Sequence, residues 1–236
     1  MPVSGQEDES SREGLFESAY WREQSEYSKF EDYRDGLDQT KRWYAGFMRM
    51  IARQLPPAGR HVDAGCGHGG IVQLMGERGL DSCGFDTSEW MIEQAQQARL
   101  VDHLCVGDLE SDIPFEGSFD LITCLEVLEH LEHPDRALGV MAGQLAPGGR
   151  LIATTPNLHP RIPWPDPLES DPTHVSVHPP DWWGERVQAA GLVRRRVSTY
   201  IALPLLWRVS PRLSVWLRMG AQAGPGILLI GERPGG

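Results

Sequence analysis

The sequence predicts an α/β fold in which a mostly parallel β-sheet carries helices on both faces. Two observations predict it. Short apolar segments alternate with amphipathic ones, and a glycine-rich turn joins the first apolar segment to the helix-like one that follows. Alternation at this spacing is typical of βαβ units, whose crossovers are right-handed. The 236-residue chain is 40% hydrophobic and 23% charged, which is the composition of a globular protein.

The N-terminal part precedes this alternation. Residues 1–14 are polar and acidic, which predicts a disordered tail, and residues 15–236 are expected to form a single domain. Aromatic and charged side chains mix over residues 15–35, a composition that suits either a lid or an ordinary packed helix. Over residues 36–55 apolar side chains recur on one helical face until a Pro-Pro pair ends the pattern. Residues 15–55 are therefore expected to supply N-terminal lid helices.

Strand and helix candidates then alternate along the chain. Strands are expected near residues 60–64, 82–86, 101–106, 119–124, 150–154, 192–199 and 226–231. Helices are expected near residues 69–79, 88–99 and 135–145. Two segments break this rhythm: residues 155–184 hold eight prolines, which predicts a long loop, and residues 200–225 form an insertion of Leu and Trp among Arg.

The glycine-rich turn is the strongest local signal. Residues 61–70 have the sequence HVDAGCGHGG, and a turn without Cβ atoms lets a ligand lie against the backbone at a helix start. Its spacing also fits G-x-G-x-x-G, the dinucleotide fingerprint. However, Asp63 would repel a pyrophosphate, and Asp86 and Asp108 place further carboxylates after the next two strands. Three carboxylates at successive strand ends suit a cationic nucleoside without phosphates.

Six segments carry a family resemblance: VDAGCGHG, GFDTSEWMIEQA, VGDLE, FDLITCLEVLEHLEHP, APGGRLIATTPN and the late strand at 226–231. Together they resemble the class I methyltransferases that use S-adenosylmethionine (SAM), a cationic nucleoside, and the resemblance covers about residues 40–199 besides that strand. It implies a Rossmann-like sheet of seven strands, mostly parallel, whose last strand is antiparallel to the others.

The resemblance also implies where SAM binds. Carried over by position, the contacts lie at strand ends: Asp63, Ala64, Gly65 and Gly67 at the methionine part, Asp86, Thr87 and Met91 at the ribose, Asp108 and Leu109 at the adenine, and Leu125 covering the ligand after strand four.

A candidate metal site follows the fourth strand. Glu126, Glu129 and His130 share one face if this segment is helical, and His174 can add a fourth ligand to a divalent cation such as Mg²⁺. The segment resembles that of ubiquinone-biosynthesis O-methyltransferases, and also that of small-RNA 2′-O-methyltransferases, in which two Glu and two His bind metal. The alternative is a site without metal, in which Glu129 is exposed and His130 packs near the cofactor.

The expected reaction is an in-line attack of an acceptor atom on the sulfonium methyl group. A hydroxyl acceptor must lose its proton, and imidazole titrates near neutrality. His130 and His174 are therefore the predicted catalytic residues, ahead of His133 and His178.

The insertion at 200–225 is expected to close over the acceptor. Its Leu and Trp side chains suit an apolar pocket, a dimer contact, or a membrane-surface helix making peripheral contact through residues 200–218. The alternative is that they only pack against the core.

The predicted acceptor is a small molecule carrying a hydroxyl, such as a secondary metabolite, a sugar or a quinone-like ring. The formal net charge of −11 disfavours nucleic acid as a partner, although residues 187–236 hold seven Arg against one Glu and keep an acidic partner open. The alternatives are methylation of an RNA 2′-OH or a protein side chain, and a non-catalytic SAM-binding partner subunit.

The chain is expected to act in the bacterial cytoplasm. It has no apolar run of about 20 residues and no apolar leader, and none of its four cysteines forms a CxxC pair, so reduced thiols are expected. Twenty Arg against two Lys indicate a GC-rich bacterial gene, a setting that fits natural-product biosynthesis.

Overall fold

The computed structural model describes residues 33–161, 171–203, 214–220 and 222–235. These residues form the helices α1 (Tyr33–Ile51), α2 (Gly70–Gly76), α3 (Glu89–Ala98), α4 (Pro134–Gln144) and α5 (Pro180–Ala189). They also form the strands β1 (Arg60–Ala64), β2 (Asp81–Asp86), β3 (Leu104–Val106), β4 (Phe119–Leu125), β5 (Leu145–Pro156), β6 (Val193–Leu203), β7 (Val215–Met219) and β8 (Gly226–Glu232). Short 3₁₀ turns lie at Ala52–Gln54 and Leu128–His130.

The strands form one sheet in the order β3-β2-β1-β4-β5-β8-β6-β7. The strands from β3 to β5 run parallel, β8 is antiparallel to β5 and β6, and β7 is antiparallel to β6. The predicted mostly parallel sheet with an antiparallel last strand is confirmed. The count of seven strands is wrong, because β7 adds an eighth at the edge. It lies inside the insertion predicted at 200–225, where Val215, Trp216 and Leu217 are consecutive apolar residues and lack the alternation that signals a half-buried strand.

The proline-rich segment is more regular at its ends than predicted. β5 extends to Pro156 and α5 begins at Pro180, both inside the loop expected at 155–184. Proline is tolerated in the first turn of a helix because its missing N–H would have no helical partner there. These prolines therefore start a helix rather than exclude one.

The predicted helix at 36–55 is present as α1 and the 3₁₀ turn that follows it. The predicted tail at 1–14 lies outside the described residues. The same is true of residues 15–32 of the lid and of residues 204–213 of the insertion.

Apolar side chains fill both faces of the sheet. On one face α4 and α5 pack against the strands through Leu138, Met141 and Trp183. On the other face α1 and α2 do so through Phe47 and Met75. Helices therefore cover both faces, as predicted.

The aromatic cluster, formed by Trp43, Tyr44, Phe47, Tyr200 and Trp216, joins α1 to the two strands at one edge of the sheet. The centroid of the Trp216 ring lies 4.9 Å from that of Tyr200 and 5.2 Å from that of Phe47. The Trp216 indole N–H donates to the Trp43 carbonyl oxygen. The helix near the start of the chain is thus held by β6 and β7, near its end.

Among the helices that the structure describes, none has the length and apolar character that crossing a bilayer requires. All four cysteines are free thiols.

Candidate active site

The glycine turn follows β1 at the edge of the sheet where the parallel strands end. Gly65, Gly67 and Gly69 have φ values of +77°, +47° and +71°, in the left-handed region that favours glycine. A Cβ on Gly65 would lie 2.3 Å from Val127 Cγ2, and the Gly65 N–H donates to the Phe85 carbonyl. The turn is therefore fixed between the end of β2 and the segment after β4.

Asp86 ends β2 and holds the turn from that side. Its carboxylate accepts hydrogen bonds from the N–H of Gly67 at 2.9 Å and of Ser88 at 3.0 Å. Burial raises the pKa of Asp86, and these backbone donors oppose the rise. Asp86, which is predicted to contact the ribose of SAM, thus also shapes the glycine turn. Of its predicted companions, Thr87 is exposed and Met91 is buried.

The polar chain, formed by Ser82, His61, Thr123 and Asp63, crosses three strands beneath the turn. The Thr123 hydroxyl oxygen lies 2.5 Å from Asp63 Oδ1 and 2.8 Å from His61 Nε2. His61 Nδ1 lies 2.7 Å from Ser82 Oγ. Burial raises the pKa of Asp63 to about 8 and lowers that of His61 to about 3. At pH 7 the imidazole is therefore neutral.

The sequence pattern singles out Asp63 but not His61 or Thr123. A signal for His61 exists, because period-two alternation places it on the same face of β1 as Asp63. Thr123 carries no such signal, since the register that sets it opposite Asp63 depends on the pairing of β1 with β4.

Asp63 and Asp86 lie at this edge without a basic partner in the described part of the chain. Asp63 interacts electrostatically with Asp86 and with the thiols of Cys66, Cys83 and Cys124. Buried charges are normally paired. A cationic ligand would supply the positive charge that stabilises the ionised forms of these two carboxyl groups.

The predicted adenine contacts divide between surface and core. Asp108 is exposed, and its carboxylate accepts from the Glu110 N–H and the Ser111 hydroxyl, both at 2.9 Å. The side chains of Leu109 and Leu125 are buried in the apolar layers on opposite faces of the sheet. Cofactor contact by these residues stays a prediction.

The first turn of α1 lies against the glycine turn. The Tyr33 hydroxyl donates to the His68 carbonyl at 2.5 Å, and the two rings are 5.4 Å apart. A Cβ on Gly36 would lie 2.4 Å from His68 Nε2. The described part of the predicted lid therefore contacts the turn directly.

The Glu–His cluster, formed by Glu129, His130 and His174, lies just after β4. One ligand atom from each residue lies within 4.8 Å of the others, and the two imidazole rings are 4.8 Å apart. The loop carrying His174 is held there because the N–H groups of Val175 and Ser176 both donate to the Glu129 carbonyl at 2.9 Å. The structure thus brings together both predicted catalytic residues and three of the four predicted metal ligands.

The surroundings of this cluster favour the uncharged forms of Glu129 and His130. Burial, reinforced by neighbouring carboxyl groups, raises the pKa of Glu129 well above its usual range. Burial and the nearby His174 lower the pKa of His130 to about 4. The Thr173 hydroxyl donates to Asp171 and lies 2.9 Å from His130 Nδ1, so it accepts the Nδ1 hydrogen. His130 Nε2 then carries the lone pair, 4.0 Å from Glu129 Oε1.

Glu126 does not join the cluster, and the shared helical face is wrong. Only Leu128–His130 form a 3₁₀ turn, and Glu126 adopts a left-handed φ of +57° at the strand end. Its Oε1 accepts a hydrogen bond from the Tyr200 hydroxyl at 2.7 Å. His133 and His178 also lie outside the cluster.

A family model described as a methyltransferase domain matches residues 34–196, more than half of the chain. The chain belongs to this family. The resemblance to class I SAM-dependent methyltransferases is therefore confirmed, and SAM is the cofactor of the family.

The methyltransferase has curated relatives that match part of it. It is 34% identical over 116 residues to a ubiquinone biosynthesis O-methyltransferase of Coxiella burnetii, covering 47% of this chain and 49% of the relative. The same identity and length hold for the relative of that name in Chromobacterium violaceum, with 46% and 49% covered. The chain thus spans about half the length of the curated relatives it matches.

Solved structures share the fold of the methyltransferase. A possible histamine N-methyltransferase of Thermotoga maritima is 19% identical, with a TM-score of 0.63 over 85% of this chain and 93% of the other. The magnesium protoporphyrin IX methyltransferase of Synechocystis, solved with bound SAH, is 20% identical, with a TM-score of 0.54 over 86% of each chain. At a sequence identity of 19–20%, the similarity to these two structures establishes a shared fold.

Proposed function

We propose that this methyltransferase transfers the methyl group of SAM to a hydroxyl group of a small molecule. The observation that carries the proposal is the Glu–His cluster beside the end of β4. A hydroxyl must lose its proton as it attacks, and side chains of this kind promote that loss. An acceptor amine that is already neutral has no such need.

The donor half of the site is the edge formed by the glycine turn. Asp63 and Asp86 place two carboxyl groups without a basic partner, among the described residues, where the cationic methionine part and the ribose of SAM are proposed to bind. Little covalent work is left for the protein. It holds the acceptor oxygen and the methyl carbon in line, about 3 Å apart, and keeps water out.

His130 is poorly suited to act alone as the proton acceptor. A general base works best when its pKa lies near the working pH, whereas the pKa of His130 is about 4 and that of a phenol is about 10. A neutral imidazole with a lone pair on Nε2 is, by contrast, the form that a metal ion requires. The lowered pKa of His130 therefore favours a role as a metal ligand.

The Glu–His cluster fits a divalent cation. Glu129 Oε2 is buried and has no hydrogen-bond partner among the described residues. The Thr173 hydroxyl fixes the ring of His130 from behind, which is the usual arrangement around a ligating histidine. Two imidazoles with one carboxylate suit Mn²⁺, Fe²⁺ or Zn²⁺ better than Mg²⁺. A cation held by Glu129, His130 and His174 would supply Lewis-acid activation of the acceptor hydroxyl.

The names of the curated relatives support a hydroxyl on a quinone-like ring as the first acceptor to try. The net charge of −11 argues against RNA, because RNA binding requires neutralisation of phosphates. The chain is proposed to act in the cytoplasm.

The test combines an acceptor panel with metal removal. The protein is incubated with SAM and catechol-type phenols, sugars or total RNA, and products are examined for the mass of one added methyl group. Methylation of a phenol, lost with EDTA and restored by Mn²⁺, is expected. Glu129→Gln and His174→Asn should reduce turnover at least tenfold, whereas His178→Asn serves as the matched control. Methylation of RNA alone, or full activity of Glu129→Gln in EDTA, would contradict the proposal.

A further inference from the structure

The polar chain lies inside an apolar layer of the protein. His61 and Thr123 have no exposed surface, and Thr123 sits on β4 between Leu121 and Leu125, on the face that packs against α1 and α2. A buried polar group is costly unless it is hydrogen-bonded, and here every member has a partner within 2.8 Å. An apolar side chain at either position would avoid that cost. Packing alone therefore does not explain why His61 and Thr123 are polar.

We propose that His61 and Thr123 are positioning residues that hold the Asp63 carboxyl for the cationic part of SAM, and that SAM binding drives a proton from Asp63 into solvent. The inference rests on the proposed function, because it takes Asp63 to face the methionine part of the cofactor. It goes further by assigning a role to two residues that are not themselves expected to touch the cofactor.

The hydrogen bonds of the polar chain have two consistent directions. When Asp63 is ionised, the Thr123 hydroxyl donates to it, His61 Nε2–H donates to Thr123, and the Ser82 hydroxyl donates to His61 Nδ1. When Asp63 carries its proton on Oδ1, that O–H donates to Thr123, Thr123 donates to His61 Nε2, and His61 Nδ1–H donates to Ser82. For a proton at Oδ1, the tautomer of His61 therefore reports the protonation state of Asp63.

The groups around Asp63 favour the protonated form until a cation arrives. Asp86 acts on Asp63 from β2, and the other titratable neighbours in the described residues are thiols: Cys66 of the turn, Cys83 of β2 and Cys124 of β4. None of them supplies positive charge, and burial raises the pKa of Asp63 to about 8. SAM binding would break the carboxyl O–H bond and release one net proton to the buffer, while His61 loses its Nδ1–H bond and gains an Nε2–H bond.

The test is calorimetry of SAM binding at pH 7 in buffers of different ionisation enthalpy. Close to one proton per bound SAM should be released by the wild type. Nitrogen NMR of labelled histidine should show the His61 hydrogen moving from Nδ1 to Nε2 when SAM is added. Binding without proton release and without a change of tautomer would overturn the inference. Because both readouts use the wild type, the test does not depend on a variant that folds.

Variants separate positioning from general stability. Thr123→Val, which keeps the side-chain shape, should weaken SAM binding about tenfold and change the number of protons released. Ser198→Ala removes another buried hydroxyl, away from the polar chain, and should match the wild type in both. Wild-type affinity and proton release in Thr123→Val would overturn the positioning role. Absence of any SAM binding by the wild type would instead overturn the proposed function, and this inference with it.

Discussion

At the scale of single residues, buried carboxyl and imidazole groups make stability respond to pH in opposite ways. The pKa of Asp63 is raised to about 8, so the folded state holds a proton that the unfolded chain releases from about pH 4 upward. Its contribution to stability is present at low pH and is lost as the pH rises toward 8. The pKa of His61 is lowered to about 3, so its contribution is lost as the pH falls from about 6.5 toward 3.

Replacing Asp63 by Asn should therefore remove the loss of stability that Asp63 causes as the pH rises. Relative to the wild type, the free energy of unfolding of Asp63→Asn should increase between pH 5 and pH 8, by at most about 1.4 kcal/mol per pH unit. Urea unfolding of the cofactor-free protein at several pH values measures the difference. Asp38→Asn, at an exposed position of α1, should run parallel to the wild type. A parallel course for Asp63→Asn as well would show that Asp63 is ionised in the folded state.

Asp86 has a double role, so its removal should affect cofactor binding strongly. Asp86→Ala loses the proposed ribose partner and also the acceptor that holds the N–H groups of Gly67 and Ser88. SAM affinity should fall by at least tenfold, measured by calorimetry. Asp81→Ala removes an exposed carboxylate from the other end of β2 and is the matched control. Unchanged affinity in Asp86→Ala would rule out the ribose assignment.

At the scale of elements, the glycine turn is a packed contact surface as well as a stretch of left-handed backbone. Gly65 combines a left-handed φ with close approach to Val127, whereas Gly79 has a φ of +91° and nothing within 4 Å of an added Cβ. The two positions therefore separate backbone strain from steric contact.

Gly65→Ala should lose more stability than Gly79→Ala, which meets only the left-handed strain of about 1–2 kcal/mol. Gly65→Ala should also lose SAM affinity at least tenfold, because the turn must move away from Val127. Thermal unfolding and calorimetry measure the two effects. Adding Val127→Ala should restore part of both losses. Equal behaviour of the two glycine variants would show that strain alone matters.

The elements that the sequence predicted best are those that depend on local pattern. The parallel strands and α1 follow from apolar periodicity and from turn residues that lie next to them in the chain. The Glu–His cluster was predicted only in part, because Glu126 turns away into a left-handed conformation and bonds Tyr200. The pairing of Asp63 with Thr123 depends on strand register, and β7 depends on finding β6 as a partner. Neither is encoded within a short window of residues.

At the scale of the whole molecule, the aromatic cluster is the main tie between the N-terminal helix and the edge of the sheet. Trp216→Ala should cost about 3–5 kcal/mol of unfolding free energy, because it empties a buried site shared by α1, β6 and β7. Trp182→Ala removes a half-buried ring on α5 and should cost much less. Denaturant unfolding of both variants measures the loss of unfolding free energy. Similar losses would show that the aromatic cluster contributes no more to stability than the half-buried Trp182.

The attachment of α1 to β7 also orders events during synthesis. The Gly46 N–H donates to the Ser214 hydroxyl across 168 residues of sequence, and the Trp216 indole reaches the Trp43 carbonyl across 173. The ribosome therefore completes α1 long before it makes the strand that α1 packs against. Until then, the apolar stripe of this helix has only part of its final surface to cover it. The nascent chain accordingly reaches its native state only after β7 has left the exit tunnel.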